Sequence, residues 1–323
     1  MSKRAQAIVL YAALAAASIA APWLFPAIVT QLAFLWLMVL FALTWDTLGG
    51  QMGYNSFGNV VFFGLGMYAC AVVQRDSGLG YYPGLFTGMA CGAALSTLVA
   101  GLLGPAMLGL RGHYFAIGTL GLGVAAADLA AAIEYIGAGS GMTPPLYPGE
   151  AVEGQRFFYY VLLVLAAATF ALLRLLYARR FGLVVNAIRD DEGKAEAMGL
   201  HTTRCKVVAW CVAAFFLGIA GGPVGDLAGF IDPRELAFAG PTFGVWMVLM
   251  AILGGRGSLW GPVVGAAIFH ATQELFWTYL LGWQRVALGL LIVAIVLFFP
   301  QGIVGWLRQR RGDRAHAHAE VAP

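Results

Sequence analysis

Long apolar runs recur along the chain, separated by short breaks rich in polar residues, proline or glycine. A basic start, Met1–Arg4, precedes an apolar stretch from Ala5 to Ala21, and Pro22–Pro26 breaks it. Further runs follow at Val29–Trp45, up to Val73, and at Leu85–Leu110, Tyr114–Tyr135 and Phe157–Tyr177. After a polar island at Arg179–Lys206 come Val207–Gly225, Phe243–Leu253, Trp260–Tyr279 and Val286–Phe299, which Pro300 and Gly302 stop. Runs of this length and polarity are read as helices crossing a bilayer. The pattern predicts an all-α polytopic integral membrane protein of about ten transmembrane helices (eight to ten). The range reflects glycine-rich segments able to re-enter instead of crossing. Residues 1–307 form one transmembrane domain on this reading, and 308–323 a basic, disordered tail. The first run also resembles a secretory signal, with small residues at Ala17–Ala21. It is read as an uncleaved span because apolar runs continue after it.

Composition agrees with the pattern. Hydrophobic residues make up 60% of the 323, charged residues 11%, and mean hydropathy is +0.79. Soluble domains carry about 25% charged residues. The net charge of +3 says little, but the placement of charge says more. With both ends and the island on the cytoplasmic side, fifteen of the nineteen Lys and Arg lie inside, leaving only Arg75, Arg156, Arg234 and Arg285 outside. That is the bias of the positive-inside rule. The cysteines Cys70, Cys91, Cys205 and Cys211 sit in or beside apolar runs without metal-ligand spacing.

The island has the marks of a structured element. Asp190 and Asp191 are N-cap residues whose charge opposes the helix dipole, Ala195, Ala197 and Met198 favour helix, and Gly199 suits the position just past a C-terminus. A short helix over Asp191–Met198 is therefore expected, with Thr202 and Thr203 capping the next one. Small Ala195 and Ala197 would admit a partner surface, while Asp190, Asp191, Glu192 and Lys194 would set its orientation at a polar rim. A plain polar loop between two spans is the competing reading.

Glycine accounts for 43 residues. Gly257, Gly261 and Gly265 repeat at small-xxx-small spacing, as do Gly218 and Gly222, and such spacing brings membrane helices into close contact. In GYNSFGN, Gly53, Asn55, Ser56, Gly58 and Asn59 suit an irregular backbone, which at membrane depth is buried or lines a cavity. A pathway element and an interfacial turn both fit. Asp128 and Glu134 mark the fifth run, and His270 and Glu274 share one face of the ninth, where they could pair. The tail histidines His316 and His318 offer too few ligands for a metal site. No G-x-x-x-x-G-K-[ST], H-E-x-x-H or G-x-S-x-G occurs, and the single Gly-Lys pair, Gly193–Lys194, is followed by alanine.

The segment AIRDDEGKAEAMGLHTTRCKVVAW resembles the cytoplasmic loop of permease subunits of branched-chain amino acid ABC importers, the LivM-type family. GYNSFGNVVFFGLGMYACAV, LRGHYFAIGTLGLG, GAGSGM, MAILGGRGSLWGPVVGAA and FFPQGIVG agree in the family's order over nearly the whole chain. The resemblance implies that Asp190–Gly199 is a coupling helix docking on a separate ATPase, with Glu196, Ala197 and Gly199 in its motif. The spacing departs from the longer glutamate-alanine-alanine signature of other importer classes, and Asn59 stands where many relatives have histidine. It further implies a second related permease, two ATP-binding cassette subunits and a periplasmic binding protein as partners, in the bacterial inner membrane. ATP would be bound by the partners, with no cofactor, metal or nucleic acid on this chain. Substrates would be branched-chain or related amino acids, or small carboxylates. The alternative is an ion- or proton-coupled secondary transporter, for which Asp128 and Glu274 are the coupling candidates. A membrane enzyme ranks third.

Overall fold

The computed structural model describes residues 3–255 and 257–280, and beyond these 282–283, 286–287, 289–290, 293, 302–303 and 305. The described chain is a helical assembly. Its helices are α1 (Lys3–Leu24), α2 (Val29–Asp46), the single turn α3 (Gly49–Met52), α4 (Asn59–Asp76), α5 (Tyr81–Met107) and α6 (His113–Ala132). They continue with α7 (Ala151–Tyr177), α8 (Arg180–Ala197), α9 (Thr202–Ala228), α10 (Val245–Gly254) and α11 (Trp260–Tyr279). Before α10 the chain makes two π-helical turns, Pro233–Ala237 and Gly240–Gly244. Among the described residues there is no strand, only an antiparallel bridge between Met142 and Ile231 that ties two connections together.

Among the described residues six segments are long and apolar enough to cross a membrane: Pro26–Met52, Tyr81–Met107, His113–Ala132, Ala151–Tyr177, Thr202–Ala228 and Pro233–Gly254. The other described helices fall short for local reasons. The apolar part of α1 is only Tyr11–Leu24. The eighteen residues of α4 include Asn59, Gln74, Arg75 and Asp76, and α11 carries His270, Gln273 and Glu274. The run at Val286–Phe299 and the tail 308–323 lie outside the described residues, isolated positions apart.

Helices α4, α5 and α9 meet along a seam of glycines. A β-carbon on Gly66 would sit 2.1 Å from the Gly218 carbonyl oxygen, and one on Gly92 would sit 2.8 Å from that same oxygen. The backbones therefore touch, and Ser96 Oγ donates 2.8 Å to the Phe62 carbonyl across the same seam. A second seam joins α10 to α11. β-Carbons on Gly261 and Gly265 would fall 2.0 Å from the Gly255 oxygen and 1.9 Å from the Met250 oxygen. Gly257 does not belong to it. It precedes α11 in a turn with φ +78°, a left-handed backbone that accounts for glycine there without any helix contact.

Helix α1 rests on α7. Tyr159 Oη donates to the Ser18 carbonyl at 2.6 Å, and Tyr160 Oη to that of Ile19 at 2.9 Å. Arg156 lies 4.1 Å over the Trp23 ring, one face of an aromatic flank.

Candidate functional site

The polar island folds as two helical pieces, not as one short helix in a loop. Helix starts at Arg180, because Val185 and Ile188 supply an apolar face at helical spacing that is buried with Gly182. The backbone leaves the helix at Asp191 (φ −164°, ψ 104°) and re-enters it at once. Asp191 is the cap of the second piece. Its Oδ1 accepts the Lys194 N–H at 3.0 Å and its Oδ2 lies 3.0 Å from Lys194 Nζ, which holds the carboxyl below its usual range. At the other end Gly199 has φ +84°. There the Leu200 N–H bonds the Ala195 carbonyl (3.1 Å) and the Gly199 N–H that of Glu196 (2.9 Å), the paired bonds of a Schellman stop. Both ends of segment 192–198 are thus closed by their own hydrogen bonds.

The faces of this segment differ from the expected rim. Glu192 points inward, its side chain 14% exposed, and Ala195 is buried. Neither is available to a partner surface. The side chains that do project are Asp190, Lys194, Ala197 and Met198, the last 72% exposed. Glu196 is engaged by its own chain: Thr202 Oγ1 donates to it at 2.6 Å, and Arg111 lies 3.8 Å away. Thr202 therefore serves Glu196 and does not cap α9, whose N-cap position is His201.

Behind Glu192 lies a buried cluster that sequence reasoning missed. Lys206, on the first turns of α9, has a side chain only 2% exposed. Its Nζ donates to Glu192 Oε1 (2.6 Å), Tyr54 Oη (2.9 Å) and the Leu108 carbonyl (3.0 Å). Tyr54 Oη in turn donates to Glu192 Oε2. Burial works to raise the Glu192 pKa, but the hydrogen bonds from Lys206 and Tyr54 outweigh it and hold the group below its usual range. Burial, reinforced by Glu192, pushes the Tyr54 hydroxyl well above its range, so it remains a donor. In the sequence Lys206 reads as one more loop charge; the available signal is its position directly before the apolar run VVAW.

Tyr54 belongs to the connection 53–58, which is packed and not open. Tyr54, Ser56, Gly58 and Asn59 are buried, Asn55 is half-buried, and Gly53 alone is exposed, at φ +82°. Ser56 Oγ donates to Asn59 Oδ1 at 3.0 Å, and the Phe57 N–H donates to Thr119 Oγ1 of α6 at 3.0 Å. Trp210 Nε1 also approaches Asn59 Oδ1, at 3.4 Å. An aromatic relay of Tyr54, Phe115, Trp210 and Phe62 runs from this connection through α6 and α9 to α4. Among the described residues, connection 53–58 lines neither of two cavities, of about 260 and 180 Å³, that lie elsewhere. A β-carbon on Gly58 would stand 3.0 Å from the Thr119 carbonyl oxygen, tight enough that any side chain must push α6 away. Gly58→Leu is therefore expected to destabilise the fold by about 1–3 kcal/mol, the usual cost of overpacking. An unchanged melting temperature in detergent would show that α6 is not held at this contact.

The other candidate residues are not brought together. Asp128 pairs with Arg234 at 2.9 Å, and both side chains are more than half exposed. His270 does not pair with Glu274: its Nε2 bonds the Gln31 carbonyl at 2.8 Å, joining α11 to α2. A buried acid that went unnoticed is Asp46 at the end of α2, whose Oδ2 accepts from Gln51 Nε2 at 2.8 Å. Among the described residues no cluster of three or more His, Cys, Asp or Glu could hold a metal ion.

Apolar helices in this number, two glycine seams and a capped polar segment tied to a buried charge cluster define an all-α, multi-pass membrane protein. The match of residues 27–299 to the family described as "Branched-chain amino acid transport system / permease component" assigns it further: the chain belongs to that family and is the permease subunit of an ABC importer, a transport subunit. It is 26% identical over 312 residues to the high-affinity branched-chain amino acid transport system permease protein LivM of Salmonella typhimurium, covering 86% of this chain and 72% of that one. Identity to LivM of Escherichia coli is 27% over 298 residues, 84% of this chain and 68% of the relative. The permease protein LivH of Salmonella typhimurium is 28% identical over a shorter 127 residues, 39% of this chain and 40% of LivH. No solved structure matches the chain.

Proposed function

We propose that this chain forms half of a transmembrane pathway for branched-chain or related amino acids in the bacterial inner membrane. A second, related permease supplies the other half, and two separate ATPases drive the cycle. The observation that carries this reading is the family match over residues 27–299, together with LivM relatives along most of the chain. The sequence has no nucleotide-binding motif of its own, so ATP is bound by the partners, and the chain itself needs no cofactor. Closure of the ATPases pushes on segment 192–198, and the permease pair swings from outward-facing to inward-facing. A periplasmic binding protein delivers substrate to the outer loops 137–156 and 226–239, and connection 53–58 with Asn59 belongs to the pathway wall. Helices α1, α4 and α11 and the run 286–299 join the six apolar segments as spans, which brings the count to ten. Both termini and the island then face the cytoplasm, as the distribution of Lys and Arg favours.

Reconstitution with the two ATPases inside proteoliposomes and the binding protein outside is expected to give leucine uptake that needs ATP and resists ionophores. Single cysteines placed at 194 or 198 should be inaccessible to an impermeant thiol reagent added outside. Uptake driven by an ion gradient without ATPases would instead favour the secondary-transporter reading.

A further inference from the structure

A lysine side chain has three N–H donors and no acceptor, and burying its charge without partners costs several kcal/mol. In Lys206 all three donors are used, and each reaches a different element. One N–H goes to Glu192 on the capped segment 192–198, one to Tyr54 in connection 53–58, and one to the Leu108 carbonyl just past the end of α5. The lysine itself is part of α9, so four elements meet at a single nitrogen. The Tyr54 ring also lies 4.3 Å beneath that nitrogen, and the Tyr54 hydroxyl closes the triangle by donating to Glu192. From Tyr54 the connection continues to α6 through the Phe57 N–H on Thr119, and the ring relay reaches α4.

We infer that the buried Lys206–Glu192–Tyr54 cluster is the joint through which displacement of segment 192–198 is passed to connection 53–58 and to the ends of α5 and α9. This deepens, and rests on, the proposal that the segment receives force from an ATPase. Geometry makes the joint a rigid one. Three charge-assisted or ionic hydrogen bonds in a dry site resist stretching far more than the exposed pairs at Asp191–Lys194 or Arg111–Glu196. The capped segment has two other anchors: the buried Ala195, whose non-directional packing can slide, and Glu196, which Thr202 Oγ1 holds at 2.6 Å but which ties the segment only to the first residue of α9. A push on segment 192–198 is therefore converted at Lys206 into coordinated movement of the connection and two helices. Lys206, Glu192 and Tyr54 are positioning residues on this account and need not touch substrate.

The test uses the whole importer, both permeases with ATPases and binding protein, in proteoliposomes, and measures leucine moved per ATP hydrolysed. K206M/E192Q removes the charge pair together and so leaves neither partner buried alone. It is expected to assemble and hydrolyse ATP while the transport ratio falls about tenfold, within the usual range of inter-site coupling. Tyr54→Phe, which keeps the ring and loses only the hydroxyl, should assemble normally and lower the same ratio by a smaller factor. K206M alone should assemble worst, because it strands the Glu192 carboxylate. A wild-type ratio in Y54F together with either a wild-type ratio or failed assembly of K206M/E192Q overturns the inference, since the cluster then serves packing alone. Failure of the underlying coupling proposal has a different signature: ATPases retained at a normal ratio by a permease whose segment surface has been blocked at Ala197.

Discussion

Gly66→Val is expected to abolish the folded permease. Valine at this position places a β-carbon 2.1 Å from the Gly218 carbonyl oxygen and 2.6 Å from its carbonyl carbon and Cα, and all three are backbone atoms. A flexible side chain could turn aside, but here only a shift of an entire helix makes room. The shift is opposed from both sides. A β-carbon on Gly221, one turn along α9, would already lie 2.4 Å from Met67 N, and α5 approaches with Gly92 from the third direction. In lipid the close contact of backbones is itself the attraction between helices, so opening the seam also forfeits the packing that holds α4, α5 and α9 together. The expected loss exceeds about 4 kcal/mol, the range reserved for severe core disruption. Detergent extracts should yield little monodisperse protein and no cooperative melt. Gly121→Val is the control: on α6 its β-carbon would meet nothing within 4 Å, and its yield should match the parent. A Gly66→Val protein that melts at the parental temperature would contradict the close approach of α4 to α9.

The second large effect is functional. Ala197→Arg combined with Gly199→Val is expected to leave the permease in the membrane but unable to hold its ATPases. Ala197 projects from segment 192–198 beside the exposed Met198, so an arginine there needs no space within the protein and obstructs only what docks from outside. Gly199 has open space around its α-carbon, and the damage at that site is conformational. A β-branched residue resists φ +84°, which loosens the bonds from Leu200 and Gly199 that stop the helix. Loss of a central docking contact amounts to about 2 kcal/mol, which is roughly thirtyfold in ATPase retention. Co-purification and uptake should fall together while the binding protein still binds leucine. Normal co-purification with substrate-stimulated ATP hydrolysis would mean that the segment is a linker only. Glu196 alone is a weaker target. Its carboxylate is half exposed and bonded to Thr202, and partly exposed pairs contribute about 0–1 kcal/mol.

Membrane class, helical content and the closed ends of segment 192–198 follow from residues near one another in the chain. Apolar runs report burial in lipid by their length alone, and Asp191 and Gly199 act on backbone groups within a few positions. The second glycine seam was legible in the same way at Gly261 and Gly265, because helical spacing puts them on one face. Gly257 shares that spacing and still stands outside the helix, since a chain reversal ends the periodicity that the spacing assumes. Only the tertiary structure could turn Glu192 inward and the Lys194 side outward, because a helix facing two environments is oriented by what it packs on. The same holds for Lys206. Its three partners lie 14, 98 and 152 positions away, and no local pattern separates a lysine that will be buried among them from one left in water. His270 and Glu274 illustrate the converse: spacing brings two side chains to one helix face, but the Gln31 carbonyl of another helix takes the imidazole.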